Sequence, residues 1–127
     1  MDFETAKEFI DNLLADKYEN INTSNTFTVI FDFIGGEPLL EVKLMNQICE
    51  YFINQMIKVN HPWLYLFRIN ICSNGILYNN LEVQKFFNKY GNMISFSVSI
   101  DGNKELHDAC RIDLNGNGTY DRAFAAV

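Results

Sequence analysis

Apolar positions along the chain change their period several times, and each change marks an element. In residues 4–16, Ala6, Phe9, Ile10, Leu13 and Leu14 recur at helical spacing, and Thr5 with Glu8 reads as a capping box. The polar run at 20–26 reads as a connection, and Phe27 to Ile34 is a nearly continuous apolar run, hence a strand. Residues 39–57 return to helical period. Leu40, Leu44, Ile48 and Phe52 form one stripe, with Met45, Cys49, Ile53 and Met56 beside it. Pro62 blocks continuation of that helix. Leu64 to Cys72 reads as a second strand, and Ser73-Asn74-Gly75 turns the chain. A short helix over 80–90 carries Leu81, Val83, Phe86, Phe87 and Tyr90, with Gly91 as its C-cap. Met93 to Ile100 reads as a third strand. Asp101-Gly102 turns again, a polar stretch runs to Gly118, and a last helix starts near Tyr120.

Strands that alternate with helices imply parallel pairing and crossover connections. Their two faces differ. Met93, Ser95, Ser97 and Ser99 share one side of the third strand, against Ile94, Phe96, Val98 and Ile100. Arg68, Asn70 and Cys72 oppose Phe67, Ile69 and Ile71, and Asp32 opposes Phe31 and Phe33. Parallel strands covered on both sides are apolar throughout. These have one apolar face and one partly polar face, as the lining of a lumen would be. The fold class expected is α/β: part of a TIM-like β/α barrel, with about three parallel strands alternating with helices.

Composition narrows the partners. At 127 residues the chain amounts to one domain, and 48% hydrophobic with 14% aromatic residues argues against disorder. A net charge of −6 disfavours nucleic acid and anionic membranes. No stretch is long and apolar enough to span a bilayer. The opening residues MDFETAKEFI lack a basic leader, so a cytoplasmic location is expected. Cys49, Cys72 and Cys110 are too far apart in sequence for a metal-ligand run, and an odd count favours free thiols. Cys49 lies on a helical stripe, where it fills space, and His61 beside Pro62 reads as a surface residue.

The most specific feature is Gly35-Gly36-Glu37-Pro38, which joins a strand to a helix. Paired glycines let a ligand approach the backbone, and Pro38 suits a first helical position. A carboxylate at Glu37 suits a cationic amine better than a phosphate. The other two strands also end in small polar turns, Ser-Asn-Gly and Asp-Gly. In parallel α/β folds such ends lie side by side, so Glu37, Asn74 and Asp101 are expected to face one site. A separate run, Asp113-Leu114-Asn115-Gly116-Asn117-Gly118, matches the start of a calcium loop with Asp121 at its ninth position. Its twelfth position is Phe124, where a bidentate Glu belongs.

Taken together, FDFIGGEPLL, ICSNGILY and FSVSIDGNKELHDACRIDLNGNGTYDRA resemble the core of radical S-adenosylmethionine enzymes. More narrowly, they resemble the peptide- and protein-modifying group that includes sulfatase-maturing enzymes. The resemblance implies a partial barrel in which Gly35, Gly36 and Glu37 meet the methionyl amino group. It further implies Ser99 for the ribose with Ser97 one layer deeper, Asn74 and Asp101 at the site edge, and Arg111 for the methionyl carboxylate or the substrate. In such enzymes a four-iron four-sulfur (4Fe-4S) cluster held by CxxxCxxC cleaves S-adenosylmethionine reductively. The resulting 5′-deoxyadenosyl radical then attacks a peptide or protein substrate. Neither that motif nor a strand before the first helix occurs here. The expectation is therefore the central segment of such a domain, 1–127, without radical chemistry of its own. An exposed sheet face and open edges lead one to expect self-association. A non-catalytic module that keeps the ligand edge is the alternative, and calcium binding a further one.

Overall fold

The computed structural model describes residues 1–17 and 28–127, so Phe27 and the connection read at 20–26 lie outside the described residues. Eight regular elements follow in order: α1 (Phe3–Leu14), β1 (Ile30–Phe33), α2 (Val42–Val59), β2 (Arg68–Ser73), α3 (Leu81–Tyr90), β3 (Ile94–Val98), α4 (Lys104–Cys110) and α5 (Tyr120–Phe124). The three strands form one parallel sheet in the order β1-β2-β3. Asp32 pairs across to Asn70 and Asn70 to Ser95, so polar residues from three strands share a row.

Several boundaries differ from the sequence reading, each for a local reason. Asp2 caps α1 by accepting from the Thr5 N–H at 2.9 Å, so Thr5 is not the cap. Pro38 opens a 3₁₀ turn, Pro38–Glu41, ahead of α2. A second such turn, Pro62–Tyr65, occupies the start predicted for the second strand, and His61 caps it through Nδ1 at 3.2 Å from the Trp63 N–H. His61 is accordingly half-buried, not a free surface side chain. Gly91 takes φ −31°, right-handed, and leads into another 3₁₀ turn instead of closing α3 with a left-handed cap. The polar stretch after β3 contains α4, capped by Asn103.

Packing confirms the two-faced sheet. Phe67, Ile69 and Ile71 are at most 1% exposed beneath the helices. Phe52 of α2 sits edge-on between Phe31 and Phe67, with ring centroids at 4.6 and 5.8 Å. Phe87 of α3 meets Phe96 at 5.0 Å. A second layer joins α1 to α2, where Tyr51 donates to Asp11 at 2.6 Å and Phe3 lies edge-on to its ring. On the opposite face Ile30, Asp32, Arg68, Cys72, Ser95 and Ser97 are exposed. This is the expected α/β arrangement of three parallel strands with one helix-covered face and one bare, partly polar face. Among the described residues, no helix is long and apolar enough to cross a membrane.

Candidate functional site

All three strands run the same way, so their carboxyl ends and the turns that follow them lie along one edge. Gly35 and Gly36 take φ +87° and +54°, a region costly for any residue with a Cβ, and space beyond them is open within 4 Å. The glycines thus answer to the backbone path and leave the peptide groups accessible.

Glu37 turns back from this loop onto β2. Its Oε1 accepts from the Leu39 N–H at 3.1 Å and from the Ser73 hydroxyl at 2.7 Å, and its Oε2 accepts from the Asn74 N–H at 2.8 Å. Ser73, 3% exposed, in turn accepts from the Gly75 N–H at 2.9 Å. Asn74 accepts from the Ile76 N–H at 2.9 Å and so holds its own turn. The carboxylate therefore stitches the end of β1 to the end of β2. It remains the fixed negative charge of this edge, but donors from three residues already orient it.

The third strand joins through its backbone. Ser99 N–H donates to the Ser73 carbonyl at 2.9 Å, and the Ser99 hydroxyl lies 3.8 Å from Cys72 Sγ on the bare face. Ser97 stands one layer deeper and donates to the Ile71 carbonyl at 3.4 Å. Asp101 and Arg111 form a two-pronged pair, Nε to Oδ2 at 2.6 Å and Nη2 to Oδ1 at 3.2 Å. The guanidinium holds the Asp101 carboxyl below its ordinary value of 3.8, and the aspartate raises Arg111 in return.

A chain of contacts thus brings Glu37, Asn74 and Ser99 together around Ser73, with Ser97 beneath and the Asp101–Arg111 pair following on the β3 side. A groove of about 620 Å³ opens on the outer side of β1, lined by Phe9, Phe33, Ile34 and Leu40 among others. It shares only Gly35, Gly36 and Glu37 with the predicted site. The sequence places Ser73 only in a turn, although it is in phase with Phe67, Ile69 and Ile71, and a polar residue in phase with a core stripe is a detectable signal.

Two metal readings meet the donor chemistry differently from the strand edge. Asp113 accepts from the Asn115 and Asn117 N–H groups at 2.9 and 3.0 Å and pairs with Arg122 at 2.7 Å, while Asp121 pairs with Lys104 at 2.6 Å. The loop's carboxylates are turned onto their own backbone and onto cations, which does not fit a calcium ion. Nor do the cysteines fit an iron–sulfur cluster. Cys49 is fully buried and its thiol is pushed up to about 12 by burial, Cys72 lies on the bare face, and Cys110 ends α4. Among the described residues, no three His, Cys, Asp or Glu side chains come together as metal ligands. S-Adenosylmethionine fits the edge better, since its amine, hydroxyls and carboxylate would meet a carboxylate, two serines and an arginine.

No family model matches the chain. It is 35% identical over 97 residues to a cysteine-type anaerobic sulfatase-maturating enzyme of Clostridium novyi, covering 76% of this chain and 24% of that protein. It is 33% identical over 116 residues to an uncharacterized protein of Methanocaldococcus jannaschii, covering 91% of this chain and 34% of the relative. The chain therefore spans about a quarter to a third of the length of these relatives. Its fold matches native anSMEcpe with bound AdoMet at a TM-score of 0.71 and 24% identity, over 99% of this chain and 30% of that one. The same protein solved with AdoMet and a peptide matches at 0.69, again at 24% identity, over 97% and 30%. In sequence and in fold the chain is a relative, over one segment, of the anaerobic sulfatase-maturating enzymes, the radical S-adenosylmethionine group that its motifs resemble.

Proposed function

We propose that this chain is the central segment of a radical S-adenosylmethionine domain and carries the edge that grips the cofactor's methionyl and ribose groups. The observation that carries this reading is the convergence on one strand edge of an open Gly35-Gly36 turn, the oriented Glu37 carboxylate, Ser99 and the Arg111–Asp101 pair. The Glu37 carboxylate at one end of that edge suits the ammonium group of an amino acid.

Each residue has a distinct task. The backbone groups of Gly35 and Gly36, with Glu37, accept from the ammonium, and Asn74 shapes the turn beside it. Ser99 meets the ribose hydroxyls, with Ser97 below it. Arg111 draws the carboxylate, using Asp101 as the counter-ion that keeps the guanidinium in place. Two of the three guanidinium nitrogens are spent on Asp101, so the carboxylate binds to the pair and not to a free arginine. In the longer enzyme, S-adenosylmethionine held by Glu37, Ser99 and Arg111 would supply radical chemistry together with a 4Fe-4S cluster held elsewhere. The residues here supply position. A peptide or protein substrate is the partner this reading assigns to the whole enzyme, supported by the peptide in the solved relative. A cytoplasmic location and self-association through the bare face belong to the same proposal.

The test is an amide-resonance titration of the chain with S-adenosylmethionine. Saturable shifts at Gly35, Gly36, Asn74 and Ser99, weakened in E37Q, are expected. Shifts confined to other parts of the chain, or none at millimolar cofactor, would sink the assignment.

A further inference from the structure

One buried polar side chain has no part in the reading above. His107, on α4, is 1% exposed. Its Nδ1 accepts from the backbone N–H of Asp101 at 3.2 Å, so that nitrogen carries no proton. The proton therefore sits on Nε2, which lies 3.1 Å from the Thr119 hydroxyl and donates to it. Thr119, 3% exposed, passes its own proton's bond on to the Arg111 carbonyl at 3.0 Å. The Arg111 guanidinium then closes the ring on the Asp101 carboxylate. The ring of Tyr120 lies edge-on to the imidazole at 5.6 Å and keeps water from that side.

The ring of bonds has a consistent direction: each residue donates on one side and accepts on the other. It joins the turn after β3 to the end of α4 and the start of α5. An exposed arginine–aspartate pair by itself holds two long side chains loosely. A site that must meet a ligand within a fraction of an ångström needs supporting groups behind it. We propose that His107 and Thr119 are positioning residues that set the Asp101–Arg111 pair, and through it the affinity for the ligand's carboxylate. The ligand half of this proposal rests on the cofactor reading above. The coupling between the four residues does not.

The experiment reads both halves separately on the whole chain. Thr119→Val keeps the side chain's shape and removes the hydroxyl, whereas Thr119→Ser keeps the hydroxyl. Proton–nitrogen spectra of the ligand-free proteins report the His107 tautomer and the Arg111 Nε–H. A sharp Arg111 Nε–H signal is expected in the wild type and in T119S, and its loss or broadening in T119V. Calorimetric titration of the same proteins with S-adenosylmethionine should show T119V binding about three- to tenfold more weakly, the scale of one hydrogen bond, and T119S close to wild type. His107→Gln, which reaches only the Thr119 side, gives a second variant with the same expected loss should T119V not fold. An unchanged Arg111 signal and unchanged affinity in the folded variants overturn the proposal. If the wild type binds no S-adenosylmethionine but the Arg111 signal still depends on Thr119, the positioning role stands and the cofactor reading fails.

Discussion

Ile69 and Asn70 are neighbours in one strand, yet they live under opposite rules. Ile69 is fully buried beneath α2, whereas Asn70 looks out from the sheet and donates to Asp32 across the row. The same contrast repeats at Ile71 and Cys72, and at Phe96 and Ser97. On the covered side, burial and ring packing decide which residues fit. Among the described residues no helix packs on the bare side, so residue choice is free to follow chemistry. The sheet thus separates stability from recognition by the pleat alone, and the two meet only at the strand ends, where buried Ser73 holds Glu37.

That division can be broken by substitution. Phe52→Ala empties the centre of the covered side and should destabilise the fold by about 3–5 kcal/mol, read from denaturant melts. A cost as small as that of a bare-face change would end the comparison. Ser73→Ala removes one partner from each of two neighbours, Glu37 and the Gly75 N–H, and should cost about 1–3 kcal/mol. Because Ser73 joins both regimes, the same variant should also disturb the Gly35 and Gly36 resonances. At Gly75, φ is +78° and a Cβ would meet Val98 Cγ1 at 2.8 Å, so Gly75→Ala should lose on the order of 1 kcal/mol or more.

Acid should weaken the C-terminal part through three carboxylates. Asp101, Asp108 and Asp113 all lie below the ordinary 3.8, held down first by Arg111, by the Tyr120 N–H and by the Asn117 N–H respectively. A depressed carboxylate contributes fully above its unfolded value and loses its contribution as pH falls through its lower folded value. Carboxyl-carbon resonances followed from pH 5 downward should therefore titrate below 3.8 at these three positions, and stability should decline over the same interval. Smallest of all, Ser95→Ala on the bare face should stay within about 0.5 kcal/mol of the parent.

Much of this was written in the period of the apolar residues. Strict alternation in β3 exposed the bare face directly, since Ser95 and Ser97 interrupt every second position. The meeting of Glu37 with Asn74 was also legible, because parallel strands deliver their carboxyl ends to one edge. What escaped the pattern was structure made by polar atoms. Only one residue of α4, His107, is buried, so Lys104–Cys110 shows no apolar stripe to announce a helix. Its start was marked instead by Asn103, whose side chain accepts from the Leu106 N–H. The second strand was read too early because Trp63 and Leu64 are apolar, yet Pro62 fixes a 3₁₀ turn there. Which partner a carboxylate would choose was likewise illegible. Glu37 bonds to Ser73, thirty-six residues away, and that closure depends on the sheet register.

The three thiols have a practical consequence. Cys72 and Cys110 are exposed, while Cys49 is sealed in the core with its proton held up to about 12. A thiol-specific reagent should therefore modify two positions at once and the third only when α2 lifts from the sheet. The slow phase of such labelling times the opening of the core from within, without any probe having to be engineered into the chain.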